Sequence, residues 1–152
     1  SGAAWASAGA PPPAVVGVDR HPWVLKEAGW TYWAFGLRGR TTRGDITRAP
    51  LPRDRAAFLA AFALNELPAE GRDALVDRLL QRNAEGDRVL IVEPLAGGAA
   101  PWWPALAVRV EAAGGRADEW RLQTDLPPIV AKLDRAAGLD HRQVTGRSLW
   151  LP

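Results

Sequence analysis

Short apolar runs alternate along this chain with longer segments in which apolar residues recur every three or four positions. The run at 14–19 is brief, rich in valine and unalternating, which is typical of a strand buried on both faces of a sheet. At 56–64 periodicity leaves helix and strand open, and the alternating context favours a strand. The predicted strands are 14–19, 38–43, 56–64, 88–93, 119–124 and 143–151, and the predicted helices are 1–8, 23–35, 69–84, 105–113 and 128–137.

Strands that alternate with helices predict a mostly parallel sheet with helices on both faces. The final two predicted strands, joined by a short helix, are expected to pair as an antiparallel edge. Because we see neither an internal repeat nor a linker, residues 1–152 are interpreted as a single domain, long enough to bury a core. The predicted fold class is therefore α/β, a Rossmann-like three-layer sandwich.

The first predicted strand stops on an acid, Asp19, and a helix follows it. Nucleotide-binding α/β sheets present a carboxylate to ribose hydroxyls in this way, at the end of their second strand. A first strand with a glycine-rich turn should precede it by roughly twenty residues. Only a piece around Gly2, similar to the tail of that turn and the start of its helix, stands there. We therefore expect a domain that is incomplete at its amino-terminal side.

Composition narrows the function classes only moderately. Hydrophobic residues make up 47% and charged residues 24% of the chain, as in an ordinary globular protein. Without cysteine there is neither a disulfide framework nor a thiolate zinc site, and a cytoplasmic location is expected. No apolar stretch has the roughly eighteen residues of a membrane span, so no membrane partner is expected.

One basic stretch stands out in a chain whose formal net charge is +2. It contains six arginines between residues 38 and 55: Arg38, Arg40, Arg43, Arg48, Arg53 and Arg55. A solvated strand and loop at a sheet edge would explain these charges. A surface that follows the phosphates of RNA would explain them as well.

The order of landmarks resembles the class I S-adenosylmethionine-dependent methyltransferases over nearly the whole chain. The residues that carry the resemblance are Val15–Arg20, Arg43–Asp45, Leu64–Pro68 and Val89–Pro94. The pairing of Asn-Glu-Leu with a later Val-Glu-Pro looks most like methyltransferase-like proteins of small-ribosomal-subunit assembly. The cysteines with which some of those relatives bind metal are missing here.

The resemblance implies S-adenosylmethionine as cofactor and assigns it a binding set. Asp19 would bind the ribose, although an Asp at this place also caps the following helix. Arg20 would flank the adenosine, and Asp45 would lie near the adenine amino group or else serve as a turn residue. Gly2 would belong to the turn that holds the methionine part, and Asn65 would face the transferred methyl group.

The implied catalytic residues are Asn65 and Glu66. The Asn65 oxygen would accept a hydrogen bond from a substrate amine, and Glu66 would act as general base if it lies within hydrogen-bond reach. The alternative is that Asn65 caps the next helix. Trp102 and Trp103 would line a substrate pocket, or cover the sheet by packing. With two histidines and no suitable spacing, no metal site is predicted.

Three explanations compete for the absent first strand. The chain is a fragment of a longer protein, a second chain supplies the strand, or the protein has abandoned the cofactor. Two functions follow: methyl transfer from S-adenosylmethionine to an unidentified acceptor, or a non-catalytic methyltransferase-like module that binds RNA, a ribosomal particle or a protein partner. A nicotinamide-dependent oxidoreductase is a third, less favoured interpretation.

Overall fold

A computed structural model describes residues 2–95, 100–139 and 141–152. Contacts group the chain into two compact units. Unit 1 contains residues 1–56 and 69–78, and unit 2 contains residues 57–68 and 79–152. The segment with Gly97 and Gly98, between the predicted strand 88–93 and the predicted helix 105–113, lies outside the described residues.

Unit 1 is built around a parallel pair of strands joined by a helix. Strand β1 (Val15–Asp19) pairs in parallel with β2 (Gly39–Arg43), and helix α2 (Pro22–Ala34) connects them. Helix α1 (Gly2–Ser7) packs on β1 and α2. The unit also includes the first part of helix α3 (Ala69–Ala84).

Tyr32 is the centre of the unit 1 core, and two glycines make room for it. A Cβ added at Gly17 would lie 2.7 Å from the Tyr32 hydroxyl oxygen, and a Cβ at Gly39 would collide with the ring. Only residues without a side chain let α2 approach the two strands so closely. Burial raises the pKa of Tyr32 above its usual value.

Unit 2 contains a mixed sheet of four strands in the order β3-β4-β6-β5. Strand β3 (Ala57–Ala61) is parallel to β4 (Arg88–Glu93), whereas β6 (Gln143–Leu151) runs antiparallel to both β4 and β5 (Arg116–Gln123). The predicted antiparallel pairing of the last two strands is therefore confirmed, and β6 lies inside the sheet with β5 at its edge.

The second part of α3 and three further helical segments complete unit 2. A 3₁₀ turn (Leu64–Glu66) follows β3, helix α4 (Trp103–Ala112) packs against β5 and β6, and helix α5 (Pro128–Ala136) precedes β6. The core of the unit consists mainly of apolar side chains from β4, β6 and α4: Val89, Ile91, Leu149, Leu151, Leu106 and Val110.

Most predicted element bounds agree with the structure to within one or two residues, and the exceptions have local causes. The predicted strand 56–64 ends at Ala61, because Phe62 adopts a positive φ of 56° and the chain turns. Strand β5 starts three residues earlier than predicted, where it pairs with β6.

Trp120, on strand β5, is a surface residue and does not belong to the core. Its side chain is 44% exposed, and its indole N–H donates to Ser148 Oγ over 2.8 Å. Trp150 is half-buried. Among the described residues, no helix has both the length and the apolar character that a membrane crossing requires.

Candidate functional site

In unit 1, polar side chains gather where the parallel strands β1 and β2 end. Asp19 and Arg43 are register partners at these ends, so both side chains lie at one edge of the pair. We call Asp19, Arg20 and Asp45 the unit 1 acid cluster. The structure brings Arg20 and Asp45 together as an ion pair, and the Arg43 Nε donates to the Arg20 carbonyl oxygen over 3.3 Å.

Asp19 uses only part of its hydrogen-bonding capacity. Its Oδ1 accepts the backbone N–H of His21 over 2.7 Å, which supports the start of α2. Within the described part of the chain, no group donates to Oδ2. The helix-start interpretation and the ribose interpretation are thus compatible, because each uses a different oxygen.

Asp45 is engaged on both oxygens. Its Oδ1 accepts the Thr47 backbone N–H over 2.9 Å and the Thr47 hydroxyl over 2.8 Å, and its Oδ2 faces Arg20. The Thr47 hydrogen bonds, with help from Arg20, lower the pKa of Asp45 to about 2. Arg78 in α3 donates to the carbonyl oxygens of Thr47 and Ala49, each over 2.7 Å, and so fixes this turn. Asp45 therefore acts as a turn residue, and its assignment to the adenine amino group remains a prediction.

Gly2 begins helix α1. A Cβ added there would meet no atom within 4 Å, so no close approach within the protein requires glycine at this position. Its assignment to the methionine part of a cofactor remains a prediction.

In unit 2, the turn after β3 carries the second group of candidate residues. Phe62 has a left-handed backbone, its side chain is 54% exposed, and its N–H donates to the Val92 carbonyl oxygen over 2.8 Å. A bulky residue at positive φ is an outlier of the kind that clusters at functional sites. Leu64 is fully buried and anchors the 3₁₀ turn that holds Asn65 and Glu66.

The buried acid Glu93, at the end of β4, organises this turn. Its Oε1 accepts the Leu64 backbone N–H over 2.9 Å, and its Oε2 accepts the Asn65 Nδ2–H over 2.7 Å. Burial raises the pKa of Glu93, while the hydrogen bonds and the charge of Arg147 act in the opposite direction. The Asn65 Oδ1 is shielded from solvent and has no hydrogen-bond partner within the described part of the chain.

Arg147 faces Glu93 across the β4–β6 ladder. Its guanidinium lies 4.4 Å from the centroid of the Trp103 ring, and neither its Nε nor its Nη2 has a partner among the residues that the structure describes. We call Asn65, Glu93 and Arg147 the Glu93 cluster. Cation–π contact of this kind stabilises a buried guanidinium.

The remaining predicted residues lie around this cluster in different environments. Glu66 is exposed, so solvent reaches its carboxylate. Trp103 is buried in the first turn of α4, and Trp102 is half-buried with its ring 5.8 Å from that of Trp103. The burial of Trp103 favours packing for that residue, while Trp102 keeps a partly open face.

Sequence reasoning missed the roles of Phe62, Glu93 and Arg147. Glu93 had a signal, because an acid that closes an almost wholly apolar strand is expected to be buried and needs donors. Arg147 and the left-handed Phe62 had none, since register and backbone conformation are not visible in a residue pattern.

No family model matches the chain, and comparison with curated proteins finds no match. Several solved structures, however, are similar to it. A TehB-like S-adenosylmethionine-dependent methyltransferase from Corynebacterium glutamicum has 15% identity and a TM-score of 0.50, with 70% of this chain and 56% of that chain covered. The precorrin 8w decarboxylase of Methanobacterium thermoautotrophicum has 12% identity and a TM-score of 0.58, with 91% and 80% covered.

The O-methyltransferase NcsB1 of neocarzinostatin biosynthesis, solved with S-adenosyl-L-homocysteine, has 14% identity and a TM-score of 0.52 over 98% of this chain. The chain spans 50% of NcsB1 and 56% of the Corynebacterium protein. At these identities the likeness establishes the fold: the chain has the α/β Rossmann-like fold of class I methyltransferases.

Proposed function

We propose that the protein transfers a methyl group from S-adenosylmethionine to an acceptor substrate. The observation that carries this proposal is Asp19, a carboxylate at the carboxyl end of β1 with Oδ2 unused among the described residues, in a fold shared with S-adenosylmethionine-dependent methyltransferases. Ribose hydroxyls are donors that suit such an oxygen. The structure of NcsB1 with S-adenosyl-L-homocysteine supports the choice of cofactor.

The other cofactor contacts follow from the unit 1 acid cluster. Arg20, held by Asp45, offers a partly exposed guanidinium beside the adenosine. Asp45 would accept the adenine amino group with the lone pairs that Thr47 and Arg20 leave unused. Gly2 would belong to the turn around the methionine part.

Methyl transfer requires mainly that donor and acceptor be held in line. Asn65 would orient the acceptor atom through its unpartnered oxygen. Glu66, exposed to solvent, would take the proton that the acceptor loses. Trp102 would border the acceptor on the side of α4, with the buried Trp103 packed behind it.

We further propose that an additional strand pairs with the open edge of β1 or of β3. Among the described residues, β1 pairs only with β2, and β3 pairs only with β4. Each is a parallel strand with one open edge, and natural sheets cover or pair such edges. The proposed source is chain that precedes these residues in the gene product, with a second chain as the alternative.

Calorimetric titration of S-adenosylmethionine and S-adenosylhomocysteine tests this function. We expect weak or no binding to the 152-residue chain and micromolar binding to the full-length gene product. Asp19→Ala should weaken that binding at least tenfold, which corresponds to loss of about 1.4 kcal/mol. Asp125, an exposed acid between β5 and α5, provides the matched control Asp125→Ala. A folded full-length product that binds neither compound would overturn the proposal.

The second candidate, a non-catalytic module that binds RNA or a ribosomal particle, is favoured by one observation. Trp23, Trp30 and Trp33 of α2 are 62%, 62% and 76% exposed. Their spacing puts them on the side of α2 opposite Tyr32. Exposed aromatic side chains can stack on unpaired bases. Filter binding of total RNA by Trp30→Ala and by the unchanged protein separates the two functions, because only the module requires this face.

A further inference from the structure

We propose that Glu93 is a positioning residue that locks the Asn65 carboxamide with its oxygen facing away from Glu93, so that this oxygen selects acceptors that carry an N–H or O–H group. The lock itself is a property of the Glu93 cluster alone. Only its consequence for the acceptor rests on the proposed methyl transfer.

The orientation of the Asn65 amide follows from the donors and acceptors around it. An ionised carboxylate is acceptor-only. The Glu93 Oε1 is already bonded to the Leu64 N–H, and the Oε2 lies 2.7 Å from the Asn65 Nδ2. If the amide were reversed while Glu93 is ionised, the Asn65 Oδ1 would face the Oε2, and two acceptors would meet without a proton between them.

The buried surroundings of Glu93 and Asn65 keep the hydrogen bond between them from being exchanged for one to water. Leu64 and Glu93 are both fully buried, so water cannot replace either partner. Leu64 also fixes the backbone of the turn on which Asn65 lies. The Asn65 Nδ2 is thus hydrogen-bonded to Glu93, whereas its Oδ1 has no partner in the described part of the chain.

A buried carbonyl oxygen without a partner is rare in native structures and calls for an explanation. A substrate donor would supply the missing hydrogen bond, and an acceptor atom without hydrogen would leave Oδ1 unpaired. A site that hydrogen-bonds a substrate N–H or O–H rejects analogues without that group far more strongly than an apolar pocket rejects analogues of a different size. The Glu93 cluster therefore distinguishes primary and secondary amines, amides or hydroxyls from tertiary amines and ethers.

The transfer step is consistent with this arrangement. The lone pair of the acceptor nitrogen or oxygen forms a bond to the methyl carbon while the carbon–sulfur bond breaks, and its electron pair stays on sulfur, which becomes a neutral thioether. The acceptor atom gains a positive charge and loses it with its own proton. Asn65 holds that hydrogen but does not remove it, so the proton passes to Glu66 or to water.

The two asparagines of the chain, Asn65 and Asn83, make the lock directly observable. With ¹⁵N-labelled asparagine, NMR shows two side-chain amide pairs, and Asn83, which donates to the Asp87 and Pro152 carbonyl oxygens, is an internal control. We expect the Asn65 amide protons to exchange with water at least tenfold more slowly than those of an exposed asparagine. Glu93→Gln, which puts a donor where an acceptor was, should abolish the slow exchange at Asn65 and leave Asn83 unchanged.

Free exchange of the Asn65 amide in the unchanged, folded protein would overturn the proposal without any variant. An Asn65 signal that Glu93→Gln does not alter would overturn it as well. If Glu93→Gln fails to fold, the exchange rate in the unchanged protein still decides.

Selectivity is tested with aniline and N,N-dimethylaniline, which differ in their N–H donors. Aniline should shift the Asn65 amide signal at concentrations at least tenfold lower than N,N-dimethylaniline, and Glu93→Gln should remove the difference. Equal effects of the two compounds would overturn the selectivity. A locked Asn65 in a full-length product that does not bind S-adenosylmethionine would support the lock and refute methyl transfer, so the two failures are distinguishable.

Discussion

The unit 1 acid cluster and the Glu93 cluster hold their carboxylates in opposite ways. Asp45 is surrounded by its own turn, bonded to Thr47 and Arg20, and its pKa is lowered to about 2. Glu93 is withdrawn from water, and burial raises its pKa. The first cluster is charged and open to solvent. The second is buried and leaves polar atoms of Asn65 and Arg147 without partners in the described part of the chain.

The difference shows what each arrangement is suited to. A carboxylate that is hydrogen-bonded on both oxygens orders a loop and leaves the neighbouring Asp19 Oδ2 for a ligand. A buried carboxylate fixes the direction of another side chain, because a wrong orientation has no water to compensate it. The first cluster suits the proposed binding of a polar cofactor, and the second suits the proposed discrimination between acceptors.

The largest expected effect is on folding stability in unit 2. Glu93→Ala leaves the Leu64 N–H and Asn65 Nδ2 without acceptors and removes the charge opposite Arg147, so the free energy of unfolding should fall by about 3 kcal/mol. Urea denaturation measures it. Asp45→Ala is the matched comparison and should lose much less, because solvent replaces its partners. Equal losses would contradict the contrast between the clusters.

The pH dependence of stability should have opposite signs in the two clusters. Because the folded pKa of Glu93 is raised above 4.5, its contribution is complete below 4.5 and is lost as the pH rises through the raised value. Because the folded pKa of Asp45 is lowered from 3.8 to about 2, its contribution is complete above 3.8 and is lost as the pH falls towards 2.

Thermal unfolding between pH 2 and pH 8 measures both contributions. Glu93→Gln should flatten the plot of melting temperature against pH only above pH 4.5, and Asp45→Asn should flatten it only below about pH 4. If Glu93→Gln instead acted only at low pH and Asp45→Asn only at high pH, the two environments would have been interpreted wrongly.

Phe62 extends the comparison to backbone strain, with a smaller effect. Phe62→Gly relieves the positive φ and should raise the free energy of unfolding by up to about 1 kcal/mol, whereas Phe62→Ala retains the strain. If the exposed ring contacts substrate, both variants should weaken substrate binding alike. Destabilisation by Phe62→Gly alone would refute the strain at this turn.

Salt should produce the smallest effect and distinguish the clusters again. The Arg20–Asp45 ion pair is solvent-exposed, and raising the salt concentration from 0.1 to 1 M shortens the screening length from about 10 to about 3 Å. The melting-temperature difference between the unchanged protein and Asp45→Asn should therefore shrink. The corresponding difference for Glu93→Gln should not change, and a parallel decrease would indicate that Glu93 is accessible to solvent.

The sequence was informative wherever a signal is local. Asp19 closes a valine-rich strand, so its neighbours in the chain select it as a candidate, whereas Asn65 was selected through the resemblance of Leu64–Pro68 to a methyltransferase motif. Helix α3 and strands β4 and β6 have the bounds that their patterns predicted. Even the wrong end of the strand predicted at 56–64 has a local cause in the backbone of Phe62, although nothing in its residue type signals it.

The pairing of polar groups was decided by tertiary structure. Arg20 and Asp45 are 25 residues apart in the chain, and Asn65 and Glu93 are 28 apart. Periodicity determines which face of an element is apolar, because that property depends only on residue spacing along one helix or strand. Which acid meets which donor depends on strand register and on burial, and both arise only when the strands assemble. The sequence by itself determined the elements, their order and the fold class, whereas the protonation and partners of Asp45 and Glu93 belong to the folded protein.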